Sequence, residues 1–313
     1  MRVIEVQAPG LLTTVQDLGR EGFGPMGVSL SGAADPVALR IGNRLVGNVE
    51  GAAGLEMTLL GGRFMFWEGG VFALTGSDFG ATLDGAPVLS WASHQAKPRQ
   101  TLRVGPTRSG ARCYLCVQGG IAVKDFLGSA STHLLSGLGG HEGRALREGD
   151  VLKIGPAEGS FRHRSLSSAA WERLAPRKVL RVTLGPQSDW FPGAAQKIFY
   201  ESTYRVKEES NRMGLRLEGE AIAAPWGGEM VSEGVALGAI QVPEGGLPMV
   251  LFVEQQTTGG YPKIANVISA DFHSLGQLRP RDEIRFERVG WETARSLLRE
   301  QEEWMASGEL IFE

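Results

Sequence analysis

The chain has 313 residues, enough for about two domains that each bury a core. Its formal net charge of -3 provides no basic surface for nucleic-acid phosphates, so nucleic acid is not expected as a partner. The N-terminus lacks the apolar core of a signal peptide, and no segment approaches the ~20 apolar residues of a membrane span. A soluble, cytoplasmic protein without membrane contact is therefore expected.

The first distinctive segment is polar and rich in glycine. Residues 13–20 and 27–35 place hydroxyls, amides, carboxylates and a guanidinium beside glycines, which predicts ligand-binding loops. Between them, residues 22–27 satisfy the pattern G-x-G-x-x-G. The dinucleotide fingerprint follows a buried strand and opens a helix, whereas polar residues precede this copy and Val-Ser-Leu-Ser follows it. The context argues against a dinucleotide site.

Two helices are marked in the sequence. Asp35 is a suitable N-cap, Pro36 suits the first helical turn, and apolar residues then recur at the helical period, which predicts a helix over residues 36–46. A second helix is predicted over residues 291–305. Its expected buried stripe consists of Ala294, Leu297, Leu298 and Trp304.

Short apolar segments separated by frequent glycines predict a mainly β chain with only a few short helices. The predicted strands cover residues 63–67, 71–75, 81–83, 101–104, 112–117, 151–154, 179–184, 214–217, 239–242, 249–253 and 283–286. Because the connections are too short for helices, antiparallel barrels or sandwiches are expected rather than βαβ units.

The two cysteines, Cys113 and Cys116, form a C-x-x-C within a predicted strand. Residues an odd number apart on a strand point to opposite faces, so the thiols are expected to be separate core residues rather than a redox pair. No second C-x-x-C and no H-x-x-x-H completes a zinc site, and the five histidines lack metal-binding spacing. No metal is expected.

The composition changes over residues 157–178, where serines and arginines surround a weakly helical stretch. This segment is predicted to link an N-terminal β-barrel domain, residues 1–156, to a C-terminal β-barrel domain with the C-terminal helix, residues 179–313. A strand, a glycine pair and an acidic turn recur in the same order in both halves, which favours a duplicated barrel.

The most informative segment is 255–264, with the sequence Gln-Gln-Thr-Thr-Gly-Gly-Tyr-Pro-Lys-Ile. Its glycine pair allows the backbone to approach a ligand closely, and successive N–H groups there can form an anion-binding nest. A tight turn between strands is the structural alternative. Together with the polar segments near the N-terminus, this loop indicates one shared site.

Several cationic and amide side chains also lie beside glycines or prolines. They are Arg20, Gln187, Arg212, Arg216, Gln241 and Lys263. A guanidinium can bind a carboxylate at two points, and an ammonium can stabilise a developing oxyanion, so a carboxylate-bearing or amide substrate is expected. Ordinary ion pairs with the 35 acidic residues are the alternative.

Seven motifs occur along the chain in a fixed order. They occupy residues 13–20, 31–35, 45–48, 185–189, 210–214, 238–243 and 256–262. This series resembles the biotin-dependent carboxyltransferase family, which includes allophanate hydrolase subunit 2, the KipA protein and the C subunit of bacterial 5-oxoprolinase. The resemblance covers residues 1–287 and implies two cyclophilin-like β-barrel domains. Three positions depart from the family pattern, since Glu254 replaces an expected aspartate, Ala34 a methionine and Arg281 a glycine.

For a separate chain of this length, the resemblance implies the 5-oxoprolinase branch of the family, which opens the lactam of 5-oxoproline to glutamate. The implied partners are the KipI-like B subunit and the A subunit of 5-oxoprolinase. No Ala-Met-Lys-Met biotin-attachment motif and no phosphate-binding loop occurs in the chain. ATP is therefore expected to be used by the assembled complex, and biotin only if a partner supplies it.

A set of site residues follows from these motifs. Lys263, Tyr261 and Arg212 are expected to be catalytic, with the two cations neutralising charge and the phenol orienting the amide. The expected substrate-binding residues are Arg20, Ser31, Asp35, Gln187, Gln241, Gln256, Thr257, Thr258, Gly259 and Gly260. The threonines and glycine N–H groups are expected to hold a carboxylate or a carboxy or phosphoryl intermediate.

Two alternative functions remain open. One is a component of a urea- or acetamide-type carboxyltransferase, in which carboxylated biotin on another protein donates to an amide nitrogen. The other is a KipA-like regulatory protein that binds a KipI-like inhibitor of a sensor kinase and has no enzymatic role.

Overall fold

The computed structural model describes residues 2–157, 161–223, 229–308 and 310–312, and within them the chain is mainly β, as predicted. The strands of the N-terminal half are β1 (Val3–Ala8), β2 (Leu12–Gln16), β3 (Gly54–Thr58), β4 (Arg63–Phe66), β5 (Gly70–Gly76), β6 (Thr82–Leu83), β7 (Ala86–Pro87), β8 (Ser93–Ala96), β9 (Gln100–Arg103), β10 (Arg112–Val117), β11 (Ile121–Ala122), β12 (Val151–Ile154) and β13 (Ser165–Leu166). Those that follow are β14 (Val179–Leu184), β15 (Tyr204–Val206), β16 (Gly214–Glu218), β17 (Glu233–Gly234), β18 (Ala239–Gln241), β19 (Met249–Leu251), β20 (Thr258–Gly259), β21 (Lys263–Val267), β22 (Glu283–Arg288) and β23 (Ile311–Phe312).

The helices of the described residues are short, apart from the last. They are α1 (Pro36–Leu45), α2 (Ser168–Arg173), α3 (Gly193–Glu201), α4 (Phe272–Gly276) and α5 (Trp291–Ala306), with 3-10 turns at Gly24–Met26, Ser188–Trp190 and Ser269–Asp271. None of these helices has both the length and the apolar character needed to cross a bilayer.

The chain divides into two compact units that are interleaved in sequence. Unit 1 comprises residues 1–20, 31–175 and 308–313, and unit 2 comprises residues 21–30 and 176–307. The two domains predicted from the sequence are each one uninterrupted range of residues, unlike these units, and their boundaries stay a prediction. Strand β23 pairs with β13, so the C-terminal segment belongs to unit 1.

Unit 1 contains two antiparallel sheets that share one core. The larger sheet has the order β11-β12-β1-β4-β9-β6-β7, and the smaller has the order β2-β3-β10-β5-β8. Ile4 and Phe64 from the larger sheet pack with Leu55, Phe72 and Leu115 from the smaller, and all five are fully buried. Burial of apolar surface stabilises such a core by about 25 cal/mol per Å².

Helix α1 packs on the smaller sheet. Asp35 caps it as predicted, since its Oδ1 accepts a hydrogen bond from Ala38 N at 2.9 Å. On β10, Cys113 faces the shared core, whereas Cys116 faces the helix, with its Sγ 3.7 Å from Leu39 O. The prediction that the two thiols point to opposite faces is confirmed, and burial raises the pKa of both.

The contact between α1 and the sheet depends on Gly42. A Cβ at this position would lie 2.6 Å from Cys116 Sγ and 2.8 Å from Thr75 Oγ1. We expect Gly42→Ala to lower the free energy of unfolding by about 1–3 kcal/mol, because overpacking outweighs the ~1 kcal/mol gain in helix propensity. Urea denaturation measures the change. The matched control is Gly193→Ala at the start of α3, where a Cβ meets nothing within 4 Å. Equal stability of the two variants would contradict this packing.

Unit 2 is built on a closed barrel with the strand order β14-β21-β18-β19-β16-β15-β22. All neighbouring pairs are antiparallel except β14 and β22, which close the barrel in parallel. Its buried side chains include Leu180, Ile240, Val250, Ile264 and Phe286. The barrel expected in the C-terminal half is therefore present, while the main strands of unit 1 form two sheets within the described residues.

Helix α5 matches its predicted range, but the prediction that Leu298 is part of its buried stripe is wrong. Leu298 is exposed, whereas Met305 is fully buried. Ala294, Leu297 and Trp304 are half-buried. Gln301 Nε2 also donates to Ala270 O at 3.2 Å. The C-terminal part of α5 is therefore its most buried part, because charged residues dominate the rest of the helix.

Candidate functional site

Unit 2 brings Lys263, Glu233 and Gln187 together. Lys263 is the first residue of β21, not part of a loop as the sequence had predicted. Its Nζ lies 2.5 Å from Glu233 Oε1, which also accepts a hydrogen bond from Gln187 Nε2 at 2.9 Å. Gln187 Oε1 in turn accepts from the backbone N of Lys263 at 3.2 Å. The three residues thus form one hydrogen-bonded cluster.

The ammonium of this cluster is buried, whereas its carboxylate partner is partly exposed. The Lys263 side chain is 2% exposed and that of Glu233 is 41% exposed. A buried charge is costly unless it is paired, and the carboxylate supplies the pair. Hydrogen bonds from Lys263 and from Gln187 lower the pKa of Glu233, so this carboxyl group is ionised at neutral pH.

The predicted glycine loop is partly a strand. Strand β20 (Thr258–Gly259) pairs antiparallel with β17, with Glu233 opposite Gly259. Backbone hydrogen bonds on either side run from Val235 N to Thr257 O at 3.1 Å and from Met230 N to Gly260 O at 2.8 Å. This pairing links the glycine segment to the residue that holds Lys263. Thr258 and Tyr261 stay exposed.

The amide of Gln241 packs directly on Gly259. Gln256 Nε2 donates to Gln241 Oε1 at 3.3 Å, while the buried Nε2 of Gln241 has no hydrogen-bond partner within the described part of the chain. A Cβ on Gly259 would lie 2.4 Å from that nitrogen. Glycine is therefore required for this close approach, and Gln241 carries an unused donor beside the candidate segment.

Arg212 forms a buried ion pair with Glu254. Its Nε lies 2.5 Å from Glu254 Oε1, and both side chains are 4% exposed. The backbone N of Glu254 also donates to Arg212 O at 2.8 Å. Glu254 stands where the family pattern led us to expect an aspartate, and its longer side chain here reaches the guanidinium.

The other three predicted residues lie in unit 1. Arg20 Nη2 donates to Ser131 O, and Ser31 Oγ donates to Thr132 O at 2.7 Å, so both contact one backbone segment. Asp35 caps α1. Each of the three therefore has a partner within its own unit, and the shared site with Lys263 stays a prediction.

The first predicted polar loop is corrected by the structure. Residues 12–16 form β2, which pairs with β3 through backbone hydrogen bonds. Gln16 Nε2 donates to Thr14 Oγ1 at 3.0 Å and to Thr132 O at 3.1 Å. Buried polar groups that are satisfied in this way are compatible with a strand.

Sequence reasoning missed Glu233. It lies in the run Ser-Glu-Gly, within a stretch that has no helical or strand periodicity, so no local pattern distinguishes it. Its role follows from the pairing of β17 with β20, which depends on long-range contacts. Across the described ranges no group of three or more His, Cys, Asp or Glu side chains could hold a metal ion.

The cluster in unit 2 can polarise a carbonyl group. An ammonium has three N–H donors, and in a buried site such donors stabilise a developing oxyanion more strongly than in water. The amide Nε2 of Gln241 lies against Gly259 of the glycine segment, and Tyr261 in that segment is exposed. This arrangement is suited to chemistry at an amide or lactam.

Comparison with known proteins agrees with this architecture. Residues 26–288 match the family model for the carboxyltransferase domain, subdomains A and B. The chain is 39% identical over 302 residues to the 5-oxoprolinase C subunit of Escherichia coli (strain K12), with 96% of both chains covered. It is 37% identical over 289 residues to the 5-oxoprolinase C subunit of Haemophilus influenzae, with 92% of both chains covered.

A solved structure extends the likeness to the fold. The chain superposes on the crystal structure of the K. lactis urea amidolyase with a TM-score of 0.91 and 31% identity, covering 99% of this chain and 20% of the other. This chain therefore spans a fifth of that longer protein. The family match and the near end-to-end relatives confirm the resemblance that the motifs indicated, and the chain belongs to the carboxyltransferase-domain family.

Proposed function

We propose that this chain is the C subunit of an ATP-dependent 5-oxoprolinase, which opens 5-oxoproline to glutamate. The observation that carries the proposal is the similarity to the 5-oxoprolinase C subunit of Escherichia coli, at 39% identity across 96% of each chain. In the lactam step the C–N bond breaks, the carbonyl carbon gains a hydroxyl group from water, and the nitrogen gains a proton. The proposed partners are a KipI-like B subunit and an A subunit, and the assembled complex hydrolyses ATP.

The unit 2 cluster supports this chemistry. Attack on a lactam carbonyl places negative charge on its oxygen, and the ammonium of Lys263 is the donor we assign to that oxygen. Tyr261 and Gln256 orient the amide, and the buried Gln241 holds Gln256 through the hydrogen bond that its Oε1 accepts. Arg212, held by Glu254, is the second cation of the proposed site. Any biotin would be carried by a partner, since this chain has no attachment motif.

The test is reconstitution of the complex. The chain is co-expressed with the KipI-like B subunit and the A subunit, and glutamate release from 5-oxoproline is measured with and without ATP. We expect release to require both ATP and this chain. Release that continues when this chain is omitted would contradict the proposal, as would an assembled complex that releases none.

One observation favours a second candidate, the urea-type carboxyltransferase. It is the structural similarity to the K. lactis urea amidolyase over 99% of this chain. The same complex is therefore also supplied with a biotinylated carrier, bicarbonate, ATP and urea. Carboxylated urea without glutamate release would select this candidate. Binding of the KipI-like partner with neither product would select a regulatory role.

The substitution Gly259→Ala tests the glycine segment. The added Cβ would displace the Gln241 amide, so we expect the KM for 5-oxoproline to rise about tenfold, or ~1.4 kcal/mol. The matched control is Gly234→Ala on the paired strand β17, where a Cβ meets nothing within 4 Å. Steady-state kinetics of the complex measure both. A KM that is the same for the two variants would remove Gly259 and Gln241 from the site.

A further inference from the structure

The ammonium of Lys263 is charge-compensated within unit 2. Its Nζ lies 2.5 Å from Glu233 Oε1, and a further contact at 3.7 Å is to Met230 Sδ, a weak acceptor. Because an ammonium has three N–H donors, these two contacts leave one N–H for a ligand. The pair as a whole carries no net charge.

Glu233 is held in place from three directions. Lys263 Nζ and Gln187 Nε2 both contact its Oε1, at 2.5 Å and 2.9 Å. Its backbone is paired with Gly259 across β17 and β20. At the same time 41% of its side chain is exposed, compared with 2% for Lys263. Glu233 is thus the solvent-facing member of the pair.

This arrangement discriminates between kinds of ligand. A carboxylate that approached Lys263 would also approach the fixed carboxylate of Glu233, and like charges repel. A neutral carbonyl oxygen meets no such repulsion and can accept an N–H of the ammonium. The second buried cation, Arg212, has a carboxylate partner in Glu254 at 2.5 Å, so the same argument applies there.

We propose that Glu233 is a positioning and specificity-determining residue. It aims and neutralises the Lys263 ammonium, so that this cluster takes the neutral carbonyl of a lactam or amide and rejects a carboxylate. The proposal rests on the proposed function for the identity of the natural substrate. The carboxylate of a substrate such as 5-oxoproline is then held away from Lys263, contrary to the charge-neutralising role that the sequence had led us to expect.

Two small ligands test separately whether the cluster binds a lactam carbonyl and whether it binds a carboxylate. 2-Pyrrolidinone is a lactam without a carboxylate, and cyclopentanecarboxylate is a carboxylate without a lactam. Their affinities for the full chain are measured by ligand-observed NMR, for the wild-type protein and for Glu233→Gln. Glutamine keeps the size of the side chain and an acceptor for Gln187 but removes the charge. We expect Glu233→Gln to bind cyclopentanecarboxylate about tenfold more tightly, in a salt-sensitive manner, without tighter binding of 2-pyrrolidinone.

The controls test whether the effect requires loss of the charge at Glu233 itself and the presence of Lys263. Glu244→Gln removes the same charge from an exposed site of unit 2 and should leave both affinities unchanged. Adding Lys263→Met to Glu233→Gln should abolish the gain in carboxylate binding. Glu233→Ser is also expected to bind cyclopentanecarboxylate more tightly, and it replaces the glutamine variant if that variant fails to fold. If the folded Glu233 variants kept the wild-type ratio of affinities for the two ligands, the proposal would be overturned. It would also be overturned if neither ligand bound detectably.

A kinetic measurement distinguishes positioning from a merely structural role. In the assembled complex, cyclopentanecarboxylate should inhibit the Glu233→Gln variant about tenfold more strongly than the wild type, and Glu233→Asp should restore weak inhibition. Equal inhibition of the glutamine and aspartate variants would contradict discrimination by charge. The binding experiment needs neither ATP nor partners, so a wild-type complex that releases no glutamate would count against the proposed function alone.

Discussion

Replacing Lys263 with methionine is expected to lower kcat/KM for 5-oxoproline about 100- to 1,000-fold in the assembled complex. Losses of this size follow the removal of one donor that stabilises an oxyanion. Methionine keeps most of the side-chain volume at this position, which is 2% exposed, and the remaining partner, Glu233, is 41% exposed. The fold and the assembly should therefore survive. Steady-state glutamate release measures the effect.

The matched control is Lys197→Met. Lys197 is 70% exposed and lies 3.9 Å from Glu201 in an i, i+4 pair, an interaction that contributes little to stability. This variant should retain wild-type kinetics, and gel filtration should show that both variants assemble. A loss of less than about threefold for Lys263→Met would remove Lys263 from the chemistry.

Replacing Arg212 with methionine is expected to lower the free energy of unfolding by about 3–5 kcal/mol. The substitution leaves the carboxylate of Glu254 buried without its guanidinium, and both side chains are 4% exposed. Urea denaturation of the full chain measures the change. Arg205→Met is the matched control, because the pairs of Arg205 with Glu218 and Glu283 are at least half exposed, and we expect it to cost less than about 1 kcal/mol.

A double variant separates stability from catalysis at Arg212. Combining Arg212→Met with Glu254→Leu replaces the buried ion pair by apolar side chains, which should restore most of the lost stability. If Arg212 is also a catalytic cation, the double variant stays inactive although it is stable. Full activity of the stable double variant would limit Arg212 to a structural role. Similar stability of Arg212→Met and Arg205→Met would contradict the importance of the buried pair.

Features that depend on local rules could be predicted from the sequence. The mainly β architecture follows from short apolar segments between glycines, and α1 follows from the Asp35 cap and the helical period after it. The opposite faces of Cys113 and Cys116 follow from strand geometry alone. Each of these inferences needs only a few neighbouring residues.

Features that depend on long-range pairing could not be predicted in this way. Residues 12–16 are predicted to form a loop because of their polar, glycine-rich surroundings, although threonine favours strands, and the Gln16 amide nitrogen finds a partner in Thr132 O inside β2. Strand β20 exists because β17 pairs with it, and β17 has no apolar period of its own. Propensity carries no information about such partners, which explains why Glu233 was missed.

The candidate site shows the same division. The sequence motifs identified Lys263 and Arg212 as unusual cations, but not the carboxylates that compensate them at 2.5 Å. Glu254 lies beside the motif, where the family pattern has an aspartate, and its pairing with Arg212 depends on a contact between distant parts of the sequence. The expectation that Arg20 and Lys263 serve one groove stays a prediction, and a double-mutant cycle on glutamate release would measure their coupling.

The most direct test of the central claim is a competition measurement. A complex that contains the wild-type chain is assembled in the presence of increasing amounts of the Lys263→Met chain, and ATP-dependent glutamate release is recorded. If this chain supplies the ammonium that acts on the lactam, the variant should take the wild-type position, and release should fall in proportion to the fraction of variant present. Glutamate release that stays constant while the variant replaces the wild-type chain in the complex would contradict the account.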